Sequence, residues 1–255
     1  MSLKPYVLLS LGVLPFVACG GGGEAPSEPP AADTTAPQAA PAAATGTASV
    51  SGKISFDGTP APPEKVKLSA DPKCAEMHKD GLERQAVKVK DGGVADVLVY
   101  VKSGLSGSYS APQEPVLLDQ HGCDYSPHMV AMMAGQPLKI RNSDDTLHNI
   151  HPRPQVNTEF NIGQPRQGME SLKTLDKPEM LIPVGCDVHP WMRAYISVLS
   201  NPFYAVTGED GTFQIKGLPA GEYEIEAAHG KLKTVSGKVV VKDGEAATLD
   251  LTYKG

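Results

Sequence analysis

Thiol, imidazole and thioether side chains recur at three-residue steps in one short stretch, Gly185-Cys186-Asp187-Val188-His189-Pro190-Trp191-Met192. A thiolate and a thioether are soft donors, and imidazole suits copper. One Cys and two His in a trigonal set with a weak axial Met make an electron-transfer copper arrangement, so this loop is one histidine short of it. Upstream, Gly135-Gln136-Pro137-Leu138-Lys139-Ile140-Arg141-Asn142 leads through a polar turn into His148-Asn149-Ile150. That pattern predicts a strand followed by a loop carrying a histidine, and His148 completes the set. Zinc is the weaker match, since Met is a poor zinc ligand and the chain has no Cys-x-x-Cys pair.

Such ligands need rigid mounts, and the flanking sequence supplies strand patterns. Met180, Ile182 and Val184 alternate into Cys186, which predicts a thiol at a strand end. Residues 194–199 predict a return to the sheet after Met192. Residues 152–177 are polar and rich in Gly and Gln, and so long a stretch inside a domain is expected to be functional or to contain short strands. Trp191, the only tryptophan, is expected to pack over His189, to shield the metal or to form a docking face. His121 and His151 exceed the ligand count and are read as outer or surface residues. Met129, Met132 and Met133, beside His128, fit core packing better than a copper-loading patch.

The strand Gly-x-x-Leu-x-Ile-x-Asn running into His-Asn-Ile, with Cys-x-x-His-x-x-Met further on, resembles the cupredoxins, the plastocyanin and azurin superfamily. The short spacing from His189 to Met192 is most similar to amicyanin. The resemblance covers residues 120–200. It implies a Greek-key β-sandwich and one type 1 copper held by His148, Cys186, His189 and Met192, with Asn149 steadying the ligand loop. The loop also resembles the binuclear copper loop of cytochrome oxidase subunit two, but the second Cys of that site falls where this chain has Ile182.

Residues 1–18 have the form of an export signal: Lys4, an apolar run from Tyr6 to Val17, and a small residue before Cys19. Phe16-Val17-Ala18-Cys19 resembles a bacterial lipobox, with Phe16 in place of the usual Leu. It implies a lipid on Cys19 and a periplasm-facing place in the cell envelope, the outer membrane being favoured by Gly20. Residues 19–47, largely Ala, Pro, Gly, Thr and Ser, bury too little to fold and are expected to be a disordered tether. With Cys19 assigned to lipid and Cys186 to metal, Cys74 and Cys123 are expected to pair as a disulfide in an oxidising compartment.

Residues 48–200 are read as the copper domain. Val50, Ile54 and Phe56 share a face at period two, and Val97-Leu98-Val99-Tyr100-Val101 reads as a strand buried on both sides. In 201–255, two alternating strands flank Gly217-Leu218-Pro219-Ala220-Gly221, resembling the carboxypeptidase regulatory-like, transthyretin-like small β-sandwich. Residues 49–56 are a candidate for its opening strand, with the copper portion inserted between. His229 is a lone histidine expected in solvent.

Lys+Arg 23 against Asp+Glu 29, a formal net charge of −6, argues against nucleic acid. It favours a basic redox partner, a c-type cytochrome or an oxidase or reductase complex. The chain thus reads as all-β and as an electron carrier rather than an enzyme. The alternatives are a periplasmic copper-delivery protein and a structural envelope module.

Overall fold

Strands that alternate apolar and polar residues must bury their apolar face, and here they do so in two pairs of sheets. The computed structural model, which describes residues 46–68 and 71–255, is all-β apart from the helix Pro72–Met77. The export signal, Cys19 and all of the tether except Gly46 and Thr47 lie outside the described residues.

In the first pair, Pro137–Asn142 lies between Glu170–Thr174, antiparallel, and Val116–His121, parallel, with Asp124–Ser126 beyond. The other sheet runs Ile162–Gln164, His148–Pro152, Glu179–Gly185, Arg193–Leu199, Met129–Met133. The polar 152–177 stretch therefore does contain two short strands. Leu118, Leu138, Ile140, Ile150, Ile182, Val184 and Ile196 form a core that ends on Cys186 and Met192. The alternation into Cys186 starts later than the sequence suggests. Leu181 adopts φ 53°, the register shifts between Glu179 and Ile182, and Met180 is left exposed, so only Ile182 and Val184 point inward ahead of the thiol.

The strand Met129–Met133 is buried throughout. Val130 and Met132 join this core, whereas Met129, Ala131 and Met133 pack with Leu98, Tyr204 and Val206 of the second pair of sheets. The methionines are packing residues on both faces of an interior strand, where they offer no surface patch for loading a metal.

In the second pair, Ala48–Asp57 lies antiparallel to Thr212–Leu218 and parallel to Ala246–Thr248 and Leu251–Lys254. Leu98–Ser103 sits between Tyr204–Val206 and Gly221–His229, with Leu232–Val241 at the edge. Val50, Ile54, Val99, Val101, Phe213 and Ile225 are part of the core between them. Sheet membership therefore departs from a division at 48–200 and 201–255. Residues 48–57 and 98–103 pair with the tail strands, and the site-bearing strands lie between 116 and 199.

His229 corrects the sequence reading: it is 4% exposed rather than solvated. It ends the strand Gly221–His229, whose last three residues are all buried across a register shift between Ala227 and His229, and its Nδ1 accepts from the Lys231 backbone N–H at 3.1 Å. Burial, reinforced by His128, pushes its pKa down to about 4. The folded state thus resists a proton that the unfolded state takes up near 6.5, so this contribution to stability is complete above that pH and is lost as pH falls towards 4. The loss is on the order of 3 kcal/mol between about pH 7 and about pH 4. Urea unfolding across that range tests it. His229→Gln should flatten the slope between about pH 7 and about pH 5, above the range in which the carboxylates titrate, and equal slopes in the two proteins there would contradict the assignment.

Candidate metal centre

Three strand ends meet where the ligand set was expected. His148 opens the strand His148–Pro152, Cys186 follows Glu179–Gly185, and Met192 precedes Arg193–Leu199. The intervening loop turns tightly, with the Met192 N–H donating to the His189 carbonyl at 2.9 Å and the His189 N–H pointing at the Cys186 sulfur at 3.3 Å. The Nδ1 atoms of His148 and His189 lie 2.9 Å apart, and Cys186 Sγ is 3.8 Å from His189 Nδ1. One ligand atom from each of these residues lies within 4.8 Å of the others. All four side chains are 4% exposed or less, and Met192 packs in the same cluster as Cys186.

Asn149 holds the loop from the neighbouring strand. Its Oδ1 accepts from the Asp187 N–H at 2.7 Å and lies 3.2 Å from Cys186 Sγ, while its own carbonyl accepts from the Tyr125 hydroxyl at 2.6 Å. His151 stands outside the set, with Nδ1 3.0 Å from Asp187 and Nε2 2.6 Å from Glu159. His121 is largely exposed.

Two carboxylates that the sequence reading did not single out complete the site. His148 Nε2 is 2.8 Å from Asp144 Oδ2, and His189 Nε2 is 2.8 Å from Asp71 Oδ2. A carboxylate oxygen only accepts, so each Nε2 carries a proton and it is the two Nδ1 atoms that face each other inside the site. Asp71 is the N-cap of the helix Pro72–Met77, which the sequence reading did not expect although Asp followed by Pro is an N-cap and N1 signature. Its Oδ1 caps the Lys73 and Cys74 N–H groups at 2.8 and 3.2 Å, leaving Oδ2 for the imidazole. Asp144 is held by a hairpin. Gly122 and Cys123, at φ 63° and 53°, form a two-residue loop of the kind favoured by the strand twist, and both donate their N–H to Asp144 at 2.8 Å.

Cys74 and Cys123 are joined by a disulfide. It anchors the helix Pro72–Met77 beside the site, with Cys74 Sγ 3.7 Å from His189 Nε2. Trp191 donates its indole N–H to the Cys123 carbonyl at 3.0 Å and packs on His189, ring centroids 5.0 Å apart. It both covers His189 and reaches the surface. The groove beside it is lined by Lys65, Lys67, Arg193 and Lys231, none with an ion pair among the described residues, and by Glu64 and an Arg84 paired with Asp124, so this face carries more basic than acidic groups.

The electrostatics follow from these contacts. Burial opposes ionisation of Cys186, but hydrogen bonds with His148 and His189 and the environment of Asn149 bring its thiol down to about 6. Burial likewise opposes charge on His148, yet Asp144 and Cys186 raise it to about 9. Asp71 and Asp144 stay below the usual carboxylate range despite partial burial, held there by their imidazole and backbone N–H partners. Two Nδ1 atoms directed at one another with an ionisable thiol alongside hold a proton that a bound cation would displace. A soft cation engages all three, and the donor set fits copper.

No family model and no curated protein matches the sequence. Solved structures do. A reduced amicyanin variant is similar over 41% of this chain and 99% of its own, at 18% identity and a TM-score of 0.30. The purple cupredoxin from Nitrosopumilus maritimus matches 32% of this chain and 98% of its own, at 18% identity and a TM-score of 0.29. The copper-containing nitrite reductase from Thermus scotoductus SA-01 matches 39% of this chain at 19% identity and a TM-score of 0.30. That alignment takes in only 26% of the reductase.

Proposed function

We propose that this chain is an exported one-electron carrier in which His148, Cys186, His189 and Met192 hold a single type 1 copper. The observation that carries the reading is the convergence of His148 Nδ1, His189 Nδ1 and the Cys186 thiol in a buried site at strand ends, with Met192 packed beside them. Copper bound there supplies a one-electron couple. The chain's part is to fix the donors so that they move little between oxidation states. Asn149 ties the two ligand-bearing segments together, and the carboxylates orient both imidazoles.

Burial of the whole set favours electron exchange at the surface over binding of a substrate at the metal, which supports a carrier over an enzyme. Trp191, packed on His189 and reaching the surface, is the proposed contact with a redox partner protein, a c-type cytochrome or an oxidase or reductase complex. Lipid attachment at Cys19 and a periplasm-facing location belong to the same proposal. The tail strands with residues 48–57 and 98–103 are proposed to form the carboxypeptidase regulatory-like module. Copper delivery is the weaker reading, because the methionines it would use are interior.

A Met192→Gln variant tests the axial assignment. It should keep copper and colour but shift the reduction potential downwards, since an oxygen donor favours the oxidised metal more than a thioether does. Cyclic voltammetry of the two copper-loaded proteins measures the shift. An unchanged potential would remove Met192 from the set.

A further inference from the structure

The hydrogen bonds behind the two imidazoles converge on one covalent link. Asp71 caps the helix that contains Cys74, and Asp144 accepts the backbone N–H of Cys123. The Cys74–Cys123 disulfide therefore joins the mount of His189 to the mount of His148. We infer that Asp71 and Asp144 are positioning residues for the two histidines, and that the disulfide is the strut that keeps their carboxylates in register.

Four features make this more than ordinary packing. Each carboxylate serves backbone donors and an imidazole at once, Asp71 through separate oxygens and Asp144 with Oδ2 shared between the Cys123 N–H and His148, so the same group that ends a helix or a hairpin also sets a ring. Asp71 reaches His189 across 118 residues of sequence, a contact that local folding does not provide. Thr146, between Asp144 and His148 in sequence, donates to Asp71 Oδ2 at 3.1 Å and links the two mounts a second time. Trp191 closes the ring of contacts by donating to the Cys123 carbonyl while packing on His189. With both Nε2 atoms engaged from outside, neither imidazole can rotate its Nδ1 out of the site without breaking a charge-assisted hydrogen bond. Carboxylates behind ligating histidines also raise the basicity of the ring, which favours the more highly charged metal state.

The inference rests on reading His148 and His189 as ligands, and the decisive variant is Asp71→Ser. Serine also caps a helix N-terminus, so the helix and its disulfide are retained. Its single short hydroxyl does not replace the second oxygen that faces His189. In the copper-loaded protein, affinity for Cu(II), measured by chelator competition, should fall about 10–100-fold, the usual loss when such a partner is removed. Affinity for Cu(I) should fall less, so the reduction potential should rise, by about 59 mV for each tenfold loss confined to Cu(II). Cys74→Ala/Cys123→Ala should weaken Cu(II) in the same direction. Combined with Asp71→Ser it should add much less than its separate effect, because both act on one contact.

Wild-type affinity and potential in Asp71→Ser, or fully additive losses in the combined variant, would overturn the inference. Should the alanine pair fail to fold, Asp71→Ser alone carries the test. A copper-free arm separates this inference from the functional reading. Ring relaxation by NMR should show His189 fixed in the wild type and reorienting in Asp71→Ser, and a ring equally fixed in both would overturn the positioning role even if the site never binds copper.

Discussion

A Cys186→Ser variant loses all intense visible absorption from the copper-loaded protein. The colour of a thiolate-ligated cupric site belongs to the sulfur–metal bond, and a serine hydroxyl neither ionises in this range nor matches the softness of a thiolate. The exchange is close to isosteric, and the buried oxygen keeps a hydrogen-bond partner in Asn149 Oδ1, 3.2 Å from the sulfur it replaces. Circular dichroism and the unfolding midpoint of the copper-free protein should therefore change little, while the spectrum of the copper-loaded protein changes completely. Retention of the band by the variant would show that another group supplies the colour, and would remove Cys186 from the centre of the site.

Replacing both Cys74 and Cys123 with alanine has the largest expected effect on stability. The bond closes a loop over a sequence separation of 49 residues. By unfolded-state entropy alone, a loop of that size contributes about 4 kcal/mol. Both sulfurs are fully buried, in a small cluster with Leu68 that Val66, Leu82 and Trp191 pack against, so truncation also leaves a void. The denaturant midpoint should fall accordingly, with the slope altered by the looser unfolded chain. A loss under about 1 kcal/mol would mean that the helix Pro72–Met77 is held by its other contacts and that the crosslink is not the principal anchor.

Most of the candidate donor positions that the structure brings together were legible in the sequence because they are local. Cys186, His189 and Met192 fall within one turn-sized loop, and His148 follows a strand with clean alternation, so residue type and spacing were enough to bring them together. The fold class was legible for the same reason, since period-two patterns over residues 137–142, 194–199 and 212–218 need no long-range information. Asp71 and Asp144 were not legible as site residues. Asp71 announces itself only as a helix cap, and its second oxygen meets His189 because a disulfide brings a distant helix alongside. Asp144 looks like one polar residue among several in a turn. The grouping of strands was only partly legible as well. The pairing of Leu98–Ser103 with Gly221–His229 bridges more than a hundred residues, and a run of apolar side chains says that a strand is interior without saying between which neighbours. His229 was misread because a single histidine carries no periodicity of its own, and the strand alternation breaks at a register shift just before it.

The central claim is that three strand ends assemble a copper site with a thiolate in it. The visible absorption spectrum of the full chain, loaded with one equivalent of Cu(II) and then reduced, tests that claim most directly. The account predicts intense absorption in the red that is bleached by one electron per protein and returns on reoxidation. A protein that stays colourless after loading and oxidation, or that shows only the weak colour of copper bound by nitrogen and oxygen, would contradict it.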